Sequence, residues 1–160
     1  MYKKTNVFIF SLLKASIIIT LFQTPSKSAE EMIFTNGILS RSISIETLES
    51  FAKGNKAKGI LKKITKLNTK NGEDLSKIFN EKYDLSLTLT SRLMNSKIGD
   101  VMLKRIAKII YPIKAKDSSI SVPAIRSAVI QGLVLGEGSI NLMLFFKAYP
   151  NKTIAIDVPA

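Results

Sequence analysis

Apolar residues recur along this chain with two different periods, and the places where the period changes mark its elements. Met32-Ile33-Phe34 and Ile38-Leu39 flank Asn36-Gly37, a two-residue turn signal that predicts a β-hairpin. The second arm continues through Ser40-Arg41-Ser42-Ile43, with Leu39, Arg41 and Ile43 on one face. From Ser44 the spacing becomes helical. Leu48, Phe51 and Ala52 form an i, i+3, i+4 stripe on a helix capped by Ser44 and stopped at Gly54. A basic helix follows over about 57–68, with Ile60, Leu61, Ile64 and Leu67 inward, and a third over about 73–82 offers Leu75, Ile78 and Phe79. Ser86 caps a short fourth helix carrying Leu87, Leu89, Leu93 and Met94. Ser96 caps a fifth that runs to about Ile110. Its spacing puts Ile98, Val101, Met102, Ile106, Ile109 and Ile110 on the buried face, with Asp100, Lys104, Arg105 and Lys108 outside. Tyr111-Pro112 ends it.

Residues 113–120 read as a polar connection, after which Ser121 caps a helix with Pro123 in its first turn. From Ala124 to Leu135 only Arg126, Ser127 and Gln131 are polar, the pattern of a central helix contacted on most sides. Gly136 and Gly138 end it. Ser139 starts a last helix that is stopped by Pro150, and Thr153 to Val158 alternate as a strand. A lone two-stranded hairpin is only marginally stable, so the closing strand is the natural partner of the opening one. The expected fold class is therefore α+β, mainly α: about six to seven short helices with a small sheet made by an N-terminal hairpin and a C-terminal strand.

The start of the chain has a different character. Lys3 and Lys4 precede an apolar run from Val7 to Phe22, broken once by Lys14, and a small polar exit ends at Ser28-Ala29. This is the pattern of an export signal, shorter than the roughly 20 residues of a membrane span. The expected organisation is a signal peptide over 1–28 and a single domain over 29–160; an uncleaved, tilted anchor is the alternative. Four of the 24 basic residues lie in the leader and none of the 12 acidic ones does, so the domain carries +8 of the chain's +12. Lysine dominates that charge, which favours weak association with polyanions without naming a partner. No aromatic residues interleave the lysines as nucleic-acid stacking would need, so nucleic acid is not an expected partner.

Candidate chemistry is sparse. The sequence has no histidine, which removes a Ser–His–acid triad, and no cysteine, which leaves only oxygen ligands for a metal. No cofactor is expected. Ser50-Phe51-Ala52-Lys53 matches Ser-x-x-Lys, a remote Ser-Lys hydrolase reading set against a solvated helix surface. Gly136-Glu137-Gly138-Ser139 reads as a turn between two helices rather than a phosphate loop.

Two surfaces are candidates for binding. Lys53 to Lys70 holds seven lysines and no acid; Lys58, Lys62, Lys63, Lys66 and Lys70 form a candidate anion surface toward anionic lipid or polymer, or simply a solvated face. Leu142, Met143, Phe145, Phe146 and Tyr149 crowd more apolar surface onto one helix than a single face can bury. They form a candidate partner surface, unless neighbouring elements cover both sides.

The order of motifs resembles a known family. Ser44-Ile45-Glu46-Thr47-Leu48-Glu49-Ser50-Phe51-Ala52-Lys53-Gly54 is similar to its opening. Ser91-Arg92-Leu93, Ile98-Gly99-Asp100 and Leu103 resemble its middle. Ala124-Ile125-Arg126-Ser127-Ala128, Gly138-Ser139-Ile140-Asn141-Leu142 and the run Tyr149 to Asp157 resemble its end. The family is a cyanobacterial domain of unknown function that commonly precedes an exported alpha/beta hydrolase. The resemblance implies a non-enzymatic accessory or docking role, with an alpha/beta hydrolase or another envelope protein as candidate partner. It also implies a periplasmic or thylakoid-lumen location. Relatives would continue into the hydrolase where this chain ends at Ala160, so hydrolase chemistry is expected in that second domain and not in this one.

Overall fold

The structure, a computed structural model, describes residues 28–36, 39–67 and 71–157, without the side chains of residues 36, 39 and 64–74. The expected signal segment over 1–27, Gly37 of the predicted hairpin turn and Lys70 lie outside the described residues. Two strands open the fold, β1 (Glu31–Asn36) and β2 (Leu39–Ser44). Three helices follow: α1 (Ile45–Ala52), α2 (Gly59–Leu67) and α3 (Asn71–Asn80). Strand β3 (Tyr83–Asp84) leads into α4 (Leu87–Met94), α5 (Lys97–Ile106) and β4 (Ile110–Pro112). The long helix α6 (Ser118–Leu135), β5 (Ser139–Ile140), α7 (Leu142–Ala148) and β6 (Thr153–Asp157) complete the chain. The fold is α+β and mainly α, with seven helices among the described residues.

The two ends meet in the sheet, as the marginal hairpin requires. Its order is β2-β1-β6-β4, with β6 parallel to β1 and antiparallel to β4. Met32 lies opposite Ile154, and Phe34 opposite Ile156. Met32, Ile43 and Ile154 turn into the main core. Ala155, one residue on, points to the other face, beside Tyr111 in the register of β4. That face is closed by Lys116, whose Nζ lies 5.2 Å from the centre of the Tyr111 ring and 2.7 Å from Asp157 Oδ2.

Helix α6 is long and apolar enough, by length and composition, to cross a bilayer. Here it runs through the body of the fold, burying Val122, Ala124, Ile125 and Ala128 against α7, α5, α4 and β4. Helix α7 sits between α6 on one side and α1 and α3 on the other, linked to α1 by Lys147 Nζ to Glu49 Oε1 at 2.7 Å. Phe145 meets both Phe146 and Tyr149 edge-on, and Phe51 meets Phe79 in the same way. The buried Tyr149 hydroxyl has no hydrogen-bond partner among the described residues, and burial pushes its pKa well above the usual phenol value.

Four expectations are corrected. The fifth helix ends at Ile106 instead of near Ile110, because Ile110–Pro112 pair with β6 and become the fourth strand of the sheet. The buried face of that helix is Gly99 and Leu103, continued by Ala107 beyond its end; Ile98, Val101 and Met102 are exposed. The cap of α6 is Asp117, whose Oδ1 accepts from Ser119 N at 3.0 Å; Ser121 is a buried helix residue that donates to the Ala115 carbonyl at 3.2 Å. Ser139 belongs to β5, and Asn141 caps the last helix by accepting from Leu144 N at 2.8 Å.

Candidate docking surface

Among the described residues the two most exposed large apolar side chains, Ile98 and Leu89, stand on a tight helical hairpin, α4–α5. Ser86 caps α4 by accepting from Leu89 N at 3.4 Å. Ser96 caps α5 by accepting from Gly99 N at 3.0 Å, and its hydroxyl donates to the Leu93 carbonyl at 2.7 Å. Gly99 then lies directly on the end of α4: a Cβ there would sit 2.0 Å from the Leu93 carbonyl oxygen. The hairpin is fixed to α6 through small and polar groups. Arg126 Nε donates to the Met94 carbonyl at 2.9 Å, and its Nη2 lies 3.5 Å from Asp100 Oδ1. Lys104, joined by Arg126, holds the Asp100 carboxyl below its usual pKa, so it remains a carboxylate.

Because Thr90, Gly99, Leu103 and Ala107 take the inward positions, the large apolar side chains turn out. On α4, Leu89 and Leu93 stand one turn apart at 65% and 45% exposure. On α5, Ile98, Val101 and Met102 are 70%, 53% and 47% exposed and share one side of the helix. Arg92, Lys97, Lys104, Arg105 and Lys108 are also exposed, and between residues 85 and 109 Asp100 is the single acid.

A second apolar feature lies where α3, the β3–β5 pair and α7 meet. Tyr83 pairs with Ile140, and Leu85 N donates to the Gly138 carbonyl at 2.9 Å, which brings the ends of α3 and α7 together. The result is an open groove of about 380 Å³ lined by Ile78, Glu81, Tyr83, Ile140, Asn141, Leu142 and Phe145. Its mouth is permissive, since Ile78 and Tyr83 are at least half exposed.

The predicted partner surface is largely inside the protein. Met143, Phe145, Phe146 and Tyr149 are buried; only Leu142 of that set is exposed, on the rim of the groove. The physical reason is that α7 has neighbours on both sides, so both of its apolar faces are core. Of the predicted anion surface, Lys58, Lys62 and Lys63 are exposed on or beside α2, while the side chains of Lys66 and Lys70 are outside the described residues. Helix α2 turns Leu61 into the core with Ile60 packed beside it, while the side chains of Ile64 and Leu67 are outside the described residues. In the Ser50–Lys53 pair, the serine hydroxyl accepts from Asn55 Nδ2 at 3.1 Å and the lysine ammonium pairs with Glu49 at 2.9 Å. Each is engaged elsewhere, which is not the arrangement of a nucleophile and its base. Gly136 to Ser139 form a tight reversal, with Glu137 and Gly138 both at positive φ and Ser139 N donating to the Gly136 carbonyl at 3.0 Å.

Comparison with known proteins matches residues 28–157 to the family described as alpha/beta hydrolase of unknown function (DUF1400). No curated protein and no solved structure matches the chain. Over the matched stretch the fold is α+β, and β1–β6 is the one parallel pair among the described strands.

Proposed function

We propose, from the premise that this chain belongs to the family described as alpha/beta hydrolase of unknown function (DUF1400), that its folded domain is a non-catalytic accessory module of an exported protein and docks against an α/β hydrolase. The observation that carries this reading is the groove between α3, β5 and α7. Its walls are mostly aliphatic and aromatic, with Asn141 beside them; its two ionisable members, Glu81 and Tyr83, are hydrogen-bonded to each other, and that contact raises the Tyr83 pKa above the usual phenol value. A single aliphatic or aromatic anchor from a partner suits such a site. The sequence holds no histidine, so a Ser–His–acid triad cannot be assembled from this chain alone; the hydrolase chemistry named in the family description then falls to the partner. The basic start and apolar run of residues 1–28 support export.

The test mixes the full chain with the hydrolase domain of a family member that carries one, and reads binding by calorimetry. Specific binding is expected to weaken by about tenfold or more in Tyr83→Glu/Leu142→Glu, the scale of losing one buried anchor. Melting should be unchanged, because both side chains are exposed. The chain alone is expected to leave a p-nitrophenyl ester at its background rate. Ester turnover by the chain alone, or undiminished binding by the double variant, contradicts the reading.

A further inference from the structure

We infer that the outward face of the α4–α5 hairpin is a membrane-docking surface whose occupant is a bilayer containing anionic lipid. An amphipathic helix in a small domain normally turns its apolar side to the core. Here the inward side is made of Gly99, Leu103, Ala107, Thr90 and the Arg126–Asp100 contact, and the outward side of Leu89, Leu93, Ile98, Val101 and Met102. Gly99 lets the two helices abut at Leu93 and Met94, which keeps the two exposed stripes on adjoining helices.

The charge around this face selects the occupant. Arg92, Lys97, Arg105 and Lys108 are exposed on or just beyond the same two helices, and the one acid between residues 85 and 109, Asp100, is already paired with Lys104 and Arg126. The centre of a protein–protein interface is rich in aromatic side chains and poor in lysine. Between residues 85 and 109 the chain holds three lysines and no aromatic residue, unlike that centre in both respects, while its two arginines suit either occupant. Aliphatic side chains that enter the acyl boundary, ringed by long cationic chains that reach back to headgroup phosphates, form the pattern of a helix lying in the membrane interface. The hairpin is distinct from the groove at Tyr83 and Leu142, so the inference stands apart from the docking of a hydrolase.

The chain has no cysteine, so a single introduced one can carry an environment-sensitive dye. The full chain is labelled as Val101→Cys, with Lys53→Cys as an exposed reference on a different helix. It is mixed with vesicles of phosphatidylglycerol and phosphatidylcholine at about 0.1 M salt, and with phosphatidylcholine alone. The dye at position 101 is expected to blue-shift on the anionic vesicles, and the dye at 53 to stay unchanged. Adding Ile98→Ser/Met102→Ser, or Arg105→Glu/Lys108→Glu, is expected to weaken this vesicle response by about tenfold or more. Tyr83→Glu/Leu142→Glu should leave it intact. No shift at 101, a shift insensitive to the apolar substitutions, or a response abolished only by charge reversal at Lys58, Lys62 and Lys63 overturns the inference. So does a dye shift caused by self-association without vesicles and lost in Ile98→Ser.

Discussion

Replacing Gly99 by alanine is expected to destabilise the protein by about 2–3 kcal/mol, the cost of forcing an atom into a filled space. The added methyl would lie 2.0 Å from the Leu93 carbonyl oxygen and 3.0 Å from the Met94 Cα, both backbone atoms. The same oxygen accepts from Ser96 N at 3.0 Å and from the Ser96 hydroxyl at 2.7 Å, so it cannot retreat without breaking the turn that joins α4 to α5. The hairpin must open or unwind. For a domain of this size the loss corresponds to a melting temperature lower by roughly 10 °C. Gly132→Ala is the internal control. Its methyl would meet the Ile140 Cδ1 at 2.9 Å, the far end of a side chain that can rotate, so a smaller loss is expected. Equal losses at the two positions, measured by thermal and urea denaturation, contradict the close approach described here.

The second large effect is expected at Ile154, where alanine should cost about 3–4 kcal/mol by removing buried methyl and methylene groups from a site that cannot collapse. Ile154 is fully buried on β6, the strand that lies between β1 and β4. Its register neighbours are Met32 and Pro112, so it stitches the opening hairpin to the closing strand. An equally apolar isoleucine at position 98 gives the contrast: it is 70% exposed, and Ile98→Ala is expected to change stability by no more than about 0.5 kcal/mol. A large loss at Ile98 and a small one at Ile154 would reverse the assignment of inside and outside.

That contrast also marks what was legible in the sequence. The caps at Ser44, Ser86 and Ser96 were readable because a serine side chain satisfies helix-end amides locally, without reference to the rest of the fold. The union of the opening hairpin with the closing strand followed from the weakness of a hairpin alone. Helical period revealed an apolar stripe on α5 but could not say whether that stripe faced inward. The inward side is carried by Gly99, Leu103 and Ala107, two of which are too small to weigh in a hydrophobic pattern. Strand β4 was hidden because Ile110 continues the helical spacing; its conversion to a strand comes from pairing with residues far along the chain. The groove was out of reach for the same reason, since the Tyr83–Ile140 pair that forms it is a long-range contact. Of the predicted partner residues only Leu142 reaches the surface, because α7 is enclosed on both sides.

The claim on which the membrane-docking inference rests is the orientation of α5, and labelling of single cysteines measures it directly in the folded protein. The sequence has no cysteine, so Ile98→Cys, Val101→Cys, Met102→Cys and Leu103→Cys each report one position without background. Rapid maleimide labelling at 98, 101 and 102, close to the rate in denaturant, with strong protection at 103, is the expected result. Protection at 98 and 101 with rapid labelling at 103 would contradict it.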